Sequence, residues 1–314
     1  MLFRSCDMPI KIPDLLPALK VLTEENIFVM SDSRAMSQDI RPLEIAILNL
    51  MPNKIETEVQ LMRLLANTPL QVNIDLLRID MHVSKNTPES HMSNFYHLFD
   101  DVKNSKNYDG LIVTGAPLGL IEYTDVKYWD KMTEIMDWAK KHVQSTIYLC
   151  WAAHAALYHQ HGLDRGLREQ KLSGVYKHKT IDPLEPLTQG FDDFFLMPHS
   201  RYAEVPLAEL EAHPDLNVLA TCEEGGAFLI ASKDRRSVFI TGHAEYNATT
   251  LADEYWRDVN NGLAPAVPEH YFPDDNPDNL PANMWRSHGN LLYCNWLNHY
   301  VYQATPFDLS QLSV

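Results

Sequence analysis

Basic charge is scarce in this chain of 314 residues: 26 Lys and Arg stand against 42 Asp and Glu, a formal net charge of −16. A general nucleic-acid binder needs a basic footprint to displace counterions from phosphates, so that class is excluded. An anionic small substrate is still allowed, but an acidic protein must build a local positive site to hold one. Long apolar runs are missing as well: no stretch approaches the roughly 18 residues that span a bilayer, so a membrane role is not expected. The first six residues lack the apolar core of a secretory signal. Cysteine is sparse, and Cys6, Cys150, Cys222 and Cys294 lie far apart with no CxxC pair. Neither a disulfide framework nor a zinc knuckle is expected, and a reducing cytoplasm is the natural setting. Internal repeats, charge blocks and low-complexity linkers are also lacking. The length suits one large α/β domain or two small ones, with a sizeable buried core.

Alternating apolar segments fill the chain. Residues 43–50 form the near-continuous apolar run of a buried parallel strand. Across residues 55–66, Ile55, Val59, Met62 and Leu65 recur at helical spacing. Strand patterns follow at 72–79 and 111–113, the second closed by the turn Thr114-Gly115-Ala116-Pro117. Residues 126–143 read as an amphipathic helix with Val126, Trp129, Met132, Ile135, Met136, Ala139 and Val143 on one stripe. A short strand at 146–149 meets Cys150. Further strands are expected at 194–197, 218–221, 228–231 and 238–241, a helix across 250–259, and a terminal helix at 291–303. Residues 262–281 carry five prolines and read as a long ordered loop. Such alternation implies an α/β fold with a mainly parallel sheet and helices on both faces. Reactive groups in such sheets gather at the carboxyl ends of strands, where Cys150 and His243 both fall.

A cysteine that follows a buried strand and enters a helix is a nucleophile candidate, because helix amides and dipole favour the thiolate. The small residues Ala152 and Ala153 suit a crowded strand-to-helix elbow. On position alone, an inert buried thiol explains Cys150 equally well. Cys222 and Cys294 fit the inert reading, and Cys6 falls in a terminal tail. The second element is Gly242-His243-Ala244-Glu245, where an imidazole can move a proton while a nearby carboxylate fixes its tautomer. Metal binding is a poorer account of the histidines: His154, His159 and His161 lack a clean HxxxH pair and read as a polar helix end.

Cys150 with His243 and Glu245 resembles the class I glutamine-amidotransferase-like superfamily, and the longer motifs resemble one branch of it, the homoserine O-succinyltransferase family. The shared segments include Ile40-Arg41-Pro42-Leu43, Asn49-Leu50-Met51-Pro52, Lys54-Ile55-Glu56-Thr57-Glu58, Thr114-Gly115-Ala116-Pro117-Leu118-Gly119 and Cys150-Trp151-Ala152. Later ones are Lys171-Leu172-Ser173-Gly174-Val175-Tyr176, Pro198-His199-Ser200-Arg201-Tyr202, Thr241-Gly242-His243-Ala244-Glu245-Tyr246 and Trp285-Arg286-Ser287-His288-Gly289-Asn290. They run in order from Met8 almost to the C-terminus. The resemblance implies a flavodoxin-like single domain over residues 8–314, with residues 1–7 as an N-terminal extension expected to be disordered.

By that resemblance, Cys150 takes an acyl group from an acyl-CoA, and His243, oriented by Glu245, deprotonates the homoserine γ-hydroxyl. The homoserine-site positions fall on Lys171, Ser200 and Arg257, the last suited to an α-carboxylate by its planar fork. Lys54 is a candidate for polarising the thioester oxygen, beside backbone amides near Cys150. In the family, glycine at the position of Gly119 goes with succinyl and glutamate with acetyl, since a carboxylate there would crowd and repel succinate. A turn glycine kept for backbone freedom also explains Gly119. The implied activity is homoserine O-succinyl transfer in methionine biosynthesis, with L-homoserine and succinyl-CoA as partners, no cofactor, no metal, and a homodimer. Alternatives are acetyl transfer, a Cys-His-Glu hydrolase or glutaminase on the same fold, and a binding module with an inert Cys150. A cationic pocket built from Lys54, Lys171, Arg201, Arg257 and Arg286 is expected inside the acidic protein.

Overall fold

A computed structural model describes residues 10–13, 15–24, 30, 31, 41–80, 86–182, 184–306 and 309. Residues 1–7 and Cys6 lie outside them. The chain divides into two compact units: residues 1–114, 127–146 and 293–314 form one, and residues 115–126 and 147–292 the other.

The first unit is built on parallel strands: β1 (Ile10–Ile12), β2 (Met30–Ser31), β3 (Leu43–Leu48), β4 (Val72–Arg78), β5 (Tyr96–Leu98) and β6 (Tyr108–Val113). β3 sits between β4 and β6, with Ile45 opposite Ile74 on one side and Gly110 on the other. β1, β2 and β5 extend the β4 edge, also in parallel. All six residues of β6 are buried, but Asp109 and Gly110 interrupt its apolar run, so the sequence pattern marks only residues 111–113 of it. Its one charge, Asp109, is fully buried and takes two hydrogen bonds from the Arg41 guanidinium, each 3.0 Å, and one from the Glu44 amide at 2.6 Å. An unpaired buried carboxylate would cost several kcal/mol (about 3–5), so the arginine of the Ile40-Arg41-Pro42 segment is a structural partner.

The helices of this unit are α1 (Pro17–Glu24), α2 (Lys54–Leu65), α3 (Glu89–Phe95), α4 (Phe99–Val102) and α5 (Trp129–His142). The apolar stripe expected over residues 126–143 is cut at both ends. Val126 lies in the turn after a 3-10 segment at Tyr123–Asp125, and Val143 opens β7 (Val143–Leu149). Both are buried, so burial continued the helical pattern beyond the helix itself. Met132, Ile135, Met136 and Ala139 carry the buried face of α5.

The second unit is antiparallel. β8 (Gly166–Thr180) and β9 (Phe194–Glu204) form a long ladder with an irregularity between Leu167 and Leu172. β10 (Leu216–Cys222) pairs with β8 and with β11 (Gly226–Ser232), and β11 pairs with β12 (Ser237–Ile240). The parallel sheet expected from the sequence is therefore the architecture of the first unit, and the second adds antiparallel arms. The 15-residue β8 had no sequence counterpart, because five of its first six residues are polar or glycine and a period-two apolar signal is absent there.

β7 ends at Leu149 in this unit and meets α6 (Trp151–His161). The first seven residues of α6 are all buried, and four of them are alanines, since a helix enclosed on every side needs small residues to pack closely. Gly162 ends it in the left-handed conformation at φ 68°, its amide returning to the Tyr158 carbonyl at 3.0 Å. α7 (Leu207–Ala212), α8 (Thr250–Asn260) and α9 (Arg286–Asn295) complete the helices, and a π-helical turn follows at Trp296–Tyr302.

Candidate active site

Cys150 is the single residue between the end of β7 and the start of α6, with φ 47° and ψ −108°. A non-glycine residue held there stores about 1–3 kcal/mol of backbone strain, which persists only where the surroundings over-determine it. Three bonds do so. The Cys150 amide donates to the Ile240 carbonyl at 2.7 Å, and the Cys150 carbonyl accepts the His154 amide at 3.2 Å and His154 Nδ1 at 3.0 Å. The elbow leaves Sγ partly exposed, 4.0 Å from the Ser200 carbonyl oxygen and beside the N-terminus of α6. That helix end favours an anionic sulfur and offers amides to a developing oxyanion.

His243 reaches the thiol from the loop after β12. The loop runs so close to β9 that a Cβ on Gly242 would lie 2.7 Å from the Pro198 carbonyl oxygen. Glycine is required there by contact, and it lets the His243 amide donate to Pro198 at 2.9 Å. His243 Nδ1 lies 2.7 Å from Glu245 Oε1, and the ring also hydrogen-bonds the Cys150 side chain, which leaves Nε2 for the sulfur. Burial opposes charge on this ring, yet the Glu245 carboxylate and the Cys150 sulfur outweigh it and hold His243 well above its ordinary value. Glu245 is itself buried, with Oε2 lacking a hydrogen-bond partner, so the imidazolium is its neutralising neighbour. The position a Cβ of Gly115 would take lies 3.4 Å from Cys150 Cβ and 3.9 Å from His243 Cε1. The turn after β6 thus forms a wall of the dyad.

A second cluster gathers on Glu254, a residue that no motif reading singled out. Its Oε2 accepts Lys171 Nζ at 3.0 Å and the Ser200 hydroxyl, and its Oε1 accepts the Tyr246 hydroxyl at 2.8 Å. Burial pushes the Glu254 carboxyl up, but the Lys171 ammonium and the three hydrogen bonds bring it below the usual carboxylate range. The sequence signal was faint: an acid in the first half of α8, three residues before Arg257, so one helical turn away on the same side.

Lys171 and Ser200, two of the three expected homoserine positions, are therefore brought together by one carboxylate. Arg257 is not part of that bond network. Its side chain is 59% exposed and its guanidinium donates to Asp258 at 2.8 and 3.0 Å. Gly119 shows no left-handed φ, and a Cβ there would meet only Tyr202, at 3.8 Å. The backbone does not demand glycine at 119, which removes the turn-glycine explanation and leaves side-chain space as the property of this position.

Of the cations expected in one pocket, Lys171, Arg201, Arg257 and Arg286 belong to the second unit, each in its own surroundings. Arg201 is buried, with its guanidinium on the Ala203 and Gly225 carbonyls and on His199 Nδ1. Lys171 is matched by Glu254, and Arg286 is exposed at the start of α9. Lys54 belongs to the first unit, where it is fully buried with Nζ donating to the carbonyls of Asn49 at 2.5 Å and Met51 at 3.3 Å. Burial pulls its pKa down to about 8.

His154 departs from the polar helix end expected for it: it is buried and held neutral, with a pKa lowered to about 3 by burial and the nearby Arg201 charge. His178, His199 and Cys222 converge closely enough to hold a metal ion, their ligand atoms within 4.8 Å of one another. Their chemistry argues for a neutral cluster. The two imidazoles hydrogen-bond each other at 2.9 Å, the Arg201 guanidinium donates to His199, and burial pushes the Cys222 thiol up. A cation there would be repelled by a permanent buried charge. Among the described residues, no helix is long and apolar enough to cross a membrane.

Comparison with known proteins identifies the family. The family model for homoserine O-succinyltransferase matches residues 9–307. A homoserine O-succinyltransferase of Alteromonas mediterranea is 60% identical over 306 residues, covering 98% of each chain. One from Pseudoalteromonas atlantica is 59% identical and covers 98% of this chain and 99% of its own. Among solved structures, a glutamine amidotransferase of Thermotoga maritima superposes with a TM-score of 0.56 over 84% of this chain and all of that one, at 10% identity, a likeness of fold alone. A full-length match at this identity leaves one assignment: the chain belongs to the homoserine O-succinyltransferase family.

Proposed function

We propose that the chain transfers the succinyl group of succinyl-CoA to the γ-hydroxyl of L-homoserine through a thioester on Cys150. One observation carries the mechanism: a strained cysteine at a helix N-terminus, hydrogen-bonded to an imidazole that is itself 2.7 Å from a buried carboxylate. Attack requires the Cys150 sulfur as thiolate beside the charged His243 imidazole. The thiolate attacks the thioester carbonyl, the carbon–sulfur bond to CoA breaks, and His243 gives its proton to the departing CoA sulfur. The neutral imidazole then takes the proton of the homoserine hydroxyl as its oxygen attacks the acyl-Cys150 carbonyl. Breaking that thioester returns the Cys150 thiolate and the imidazolium. Glu245 holds the imidazole in one tautomer throughout.

In this reading Lys171, Ser200 and Arg257 hold homoserine, with Arg257 turning from Asp258 to the α-carboxylate. Gly119 leaves room for the distal carboxylate of succinate. The acyl-CoA is the only coenzyme required, as a substrate, and the enzyme acts in the cytoplasm as a homodimer. The family membership and the open space at Gly119 support the choice of succinyl.

The deciding experiment is the intact mass of the protein mixed with succinyl-CoA alone. A gain of one succinyl group is expected, lost on adding homoserine and never seen in Cys150→Ala. Turnover without that adduct would replace the two-step mechanism by direct transfer. A gain from acetyl-CoA in preference to succinyl-CoA would reassign the acyl group.

A further inference from the structure

Tyr246 lies flat against His243, with ring centroids 4.0 Å apart and planes within 16°. Its hydroxyl donates to Glu254 Oε1 at 2.8 Å, and its carbonyl accepts Trp285 Nε1 at 3.0 Å, so both ends of the residue are tied down. The ring is buried. Burial and the negative charges of Glu254, Glu245 and Cys150 keep its phenol protonated, so the hydroxyl remains a donor. The other oxygen of Glu254 holds Lys171 and Ser200. One carboxylate therefore links two expected homoserine-site residues to the plate that covers the imidazole.

We propose that Tyr246 is a positioning residue for His243: its ring stabilises and orients the imidazolium face-on, and the Glu254 clamp on its hydroxyl fixes that plate relative to Lys171 and Ser200. The ring acts through its face, because the negative side of an aromatic ring attracts a stacked cation. The hydroxyl acts through geometry, because a base that is misaligned with the attacking oxygen lowers the rate without weakening substrate binding. The second half of this inference rests on the acyl-transfer reading above; the first half does not.

The charged and titratable groups facing His243 are Glu245 and Tyr246 from its own loop, Cys150 from the start of α6, and His199 from β9, which burial keeps neutral. Two readouts separate the claims. The rate of Cys150 alkylation by iodoacetate, followed against pH without substrates, has an alkaline limb set by loss of the His243 proton. Tyr246→Leu removes the plate and is expected to move that limb to lower pH by about half a unit; Tyr246→Phe keeps the ring and should leave the limb in place. In steady-state transfer to homoserine, Tyr246→Phe is expected to lower kcat about 5- to 10-fold with an unchanged KM for homoserine. An unmoved limb in a folded Leu variant overturns the plate. A Phe variant with wild-type kcat, or with a raised KM and wild-type kcat, overturns the clamp. Should Tyr246→Leu fail to fold, Glu254→Gln, which keeps shape and weakens the clamp, must reproduce the kcat loss of Tyr246→Phe. Because alkylation needs no substrate, a protein that fails to transfer succinyl would still report on the plate.

Discussion

The backbone amide of Cys150 donates to the carbonyl of Ile240 at 2.7 Å, so the nucleophile elbow is anchored to the last residue of the strand that delivers His243. The segments that carry Cys150 and His243 are some 90 positions apart in sequence, yet a main-chain bond ties them together. Such an anchor explains how a positive-φ cysteine is tolerated.

The strain at Cys150 can be measured directly. Both Cys150→Ala and Cys150→Gly should abolish turnover, by at least about 1,000-fold. Glycine relieves the φ of 47° and alanine does not, so the glycine variant should be the more stable of the two by about 1–2 kcal/mol in chemical denaturation. Equal stabilities would mean the elbow relaxes when the sulfur is removed.

Gly119 separates selectivity from stability. A Cβ at this position meets only ordinary contacts with Tyr202, and no left-handed backbone must be forced. Gly119→Glu should therefore unfold within about 1 kcal/mol of the parent. Its kcat/KM ratio for succinyl-CoA over acetyl-CoA should fall at least about tenfold, as a like charge and lost volume exclude the distal carboxylate. A retained succinyl preference would place acyl selection elsewhere.

Acid should destabilise the fold in a defined window. His154 and His178 are buried with pKa values lowered to about 3, and His199 is lowered well below its ordinary value. Each is neutral when folded but takes a proton when unfolded below about pH 6.5, so stability falls as pH drops from there toward 3. The slope is up to about 1.4 kcal/mol per pH unit for each ring. His243 has the opposite sign: its raised value contributes fully below about 6.5 and is lost only as pH rises through the folded value. It cannot flatten the acid limb. Denaturation midpoints that stay constant between pH 6.5 and 5 would contradict the neutral assignment of the three rings.

Arg41 tests a motif residue that does no chemistry. Arg41→Met strands the buried Asp109 carboxylate with only the Glu44 amide, and should cost about 2–4 kcal/mol. Adding Asp109→Asn should recover part of that loss, because the stranded charge is then gone. The Cys150 alkylation rate should stay at its wild-type value in both variants. A changed alkylation rate would give Arg41 a role in the site.

Much of this architecture was legible as pattern. The buried parallel strand Leu43–Leu48 and residues 111–113 of β6 read as apolar runs because both their faces are covered. Cys150 and His243 were visible as strand-end residues for the same reason. β8 was not, since a long two-stranded arm rich in polar residues carries no period that marks it as a strand. Glu254 was hidden too: an acid on an amphipathic helix looks solvated until the fold sets Lys171, Ser200 and Tyr246 around it. The partners of the cations were hidden in a related way. Clustering of Lys171, Arg201 and Arg257 in motif segments suggested a positive pocket, but the fold spends Arg201 on backbone carbonyls and Lys171 on a carboxylate.

The amino-acid sequence by itself determined the class of the protein, its family and which residues are the candidate nucleophile and base, because motifs and buried apolar runs are properties of order along the chain. Only the tertiary structure decided how those groups are poised. The strained backbone of Cys150 is held by a bond to Ile240, the charge on His243 comes from a buried Glu245 and a nearby sulfur, and the role of Tyr246 from a 4.0 Å stack. These are effects of distance and burial between residues that the chain alone leaves far apart, and a pKa or a strained dihedral exists only where the fold has removed the alternatives.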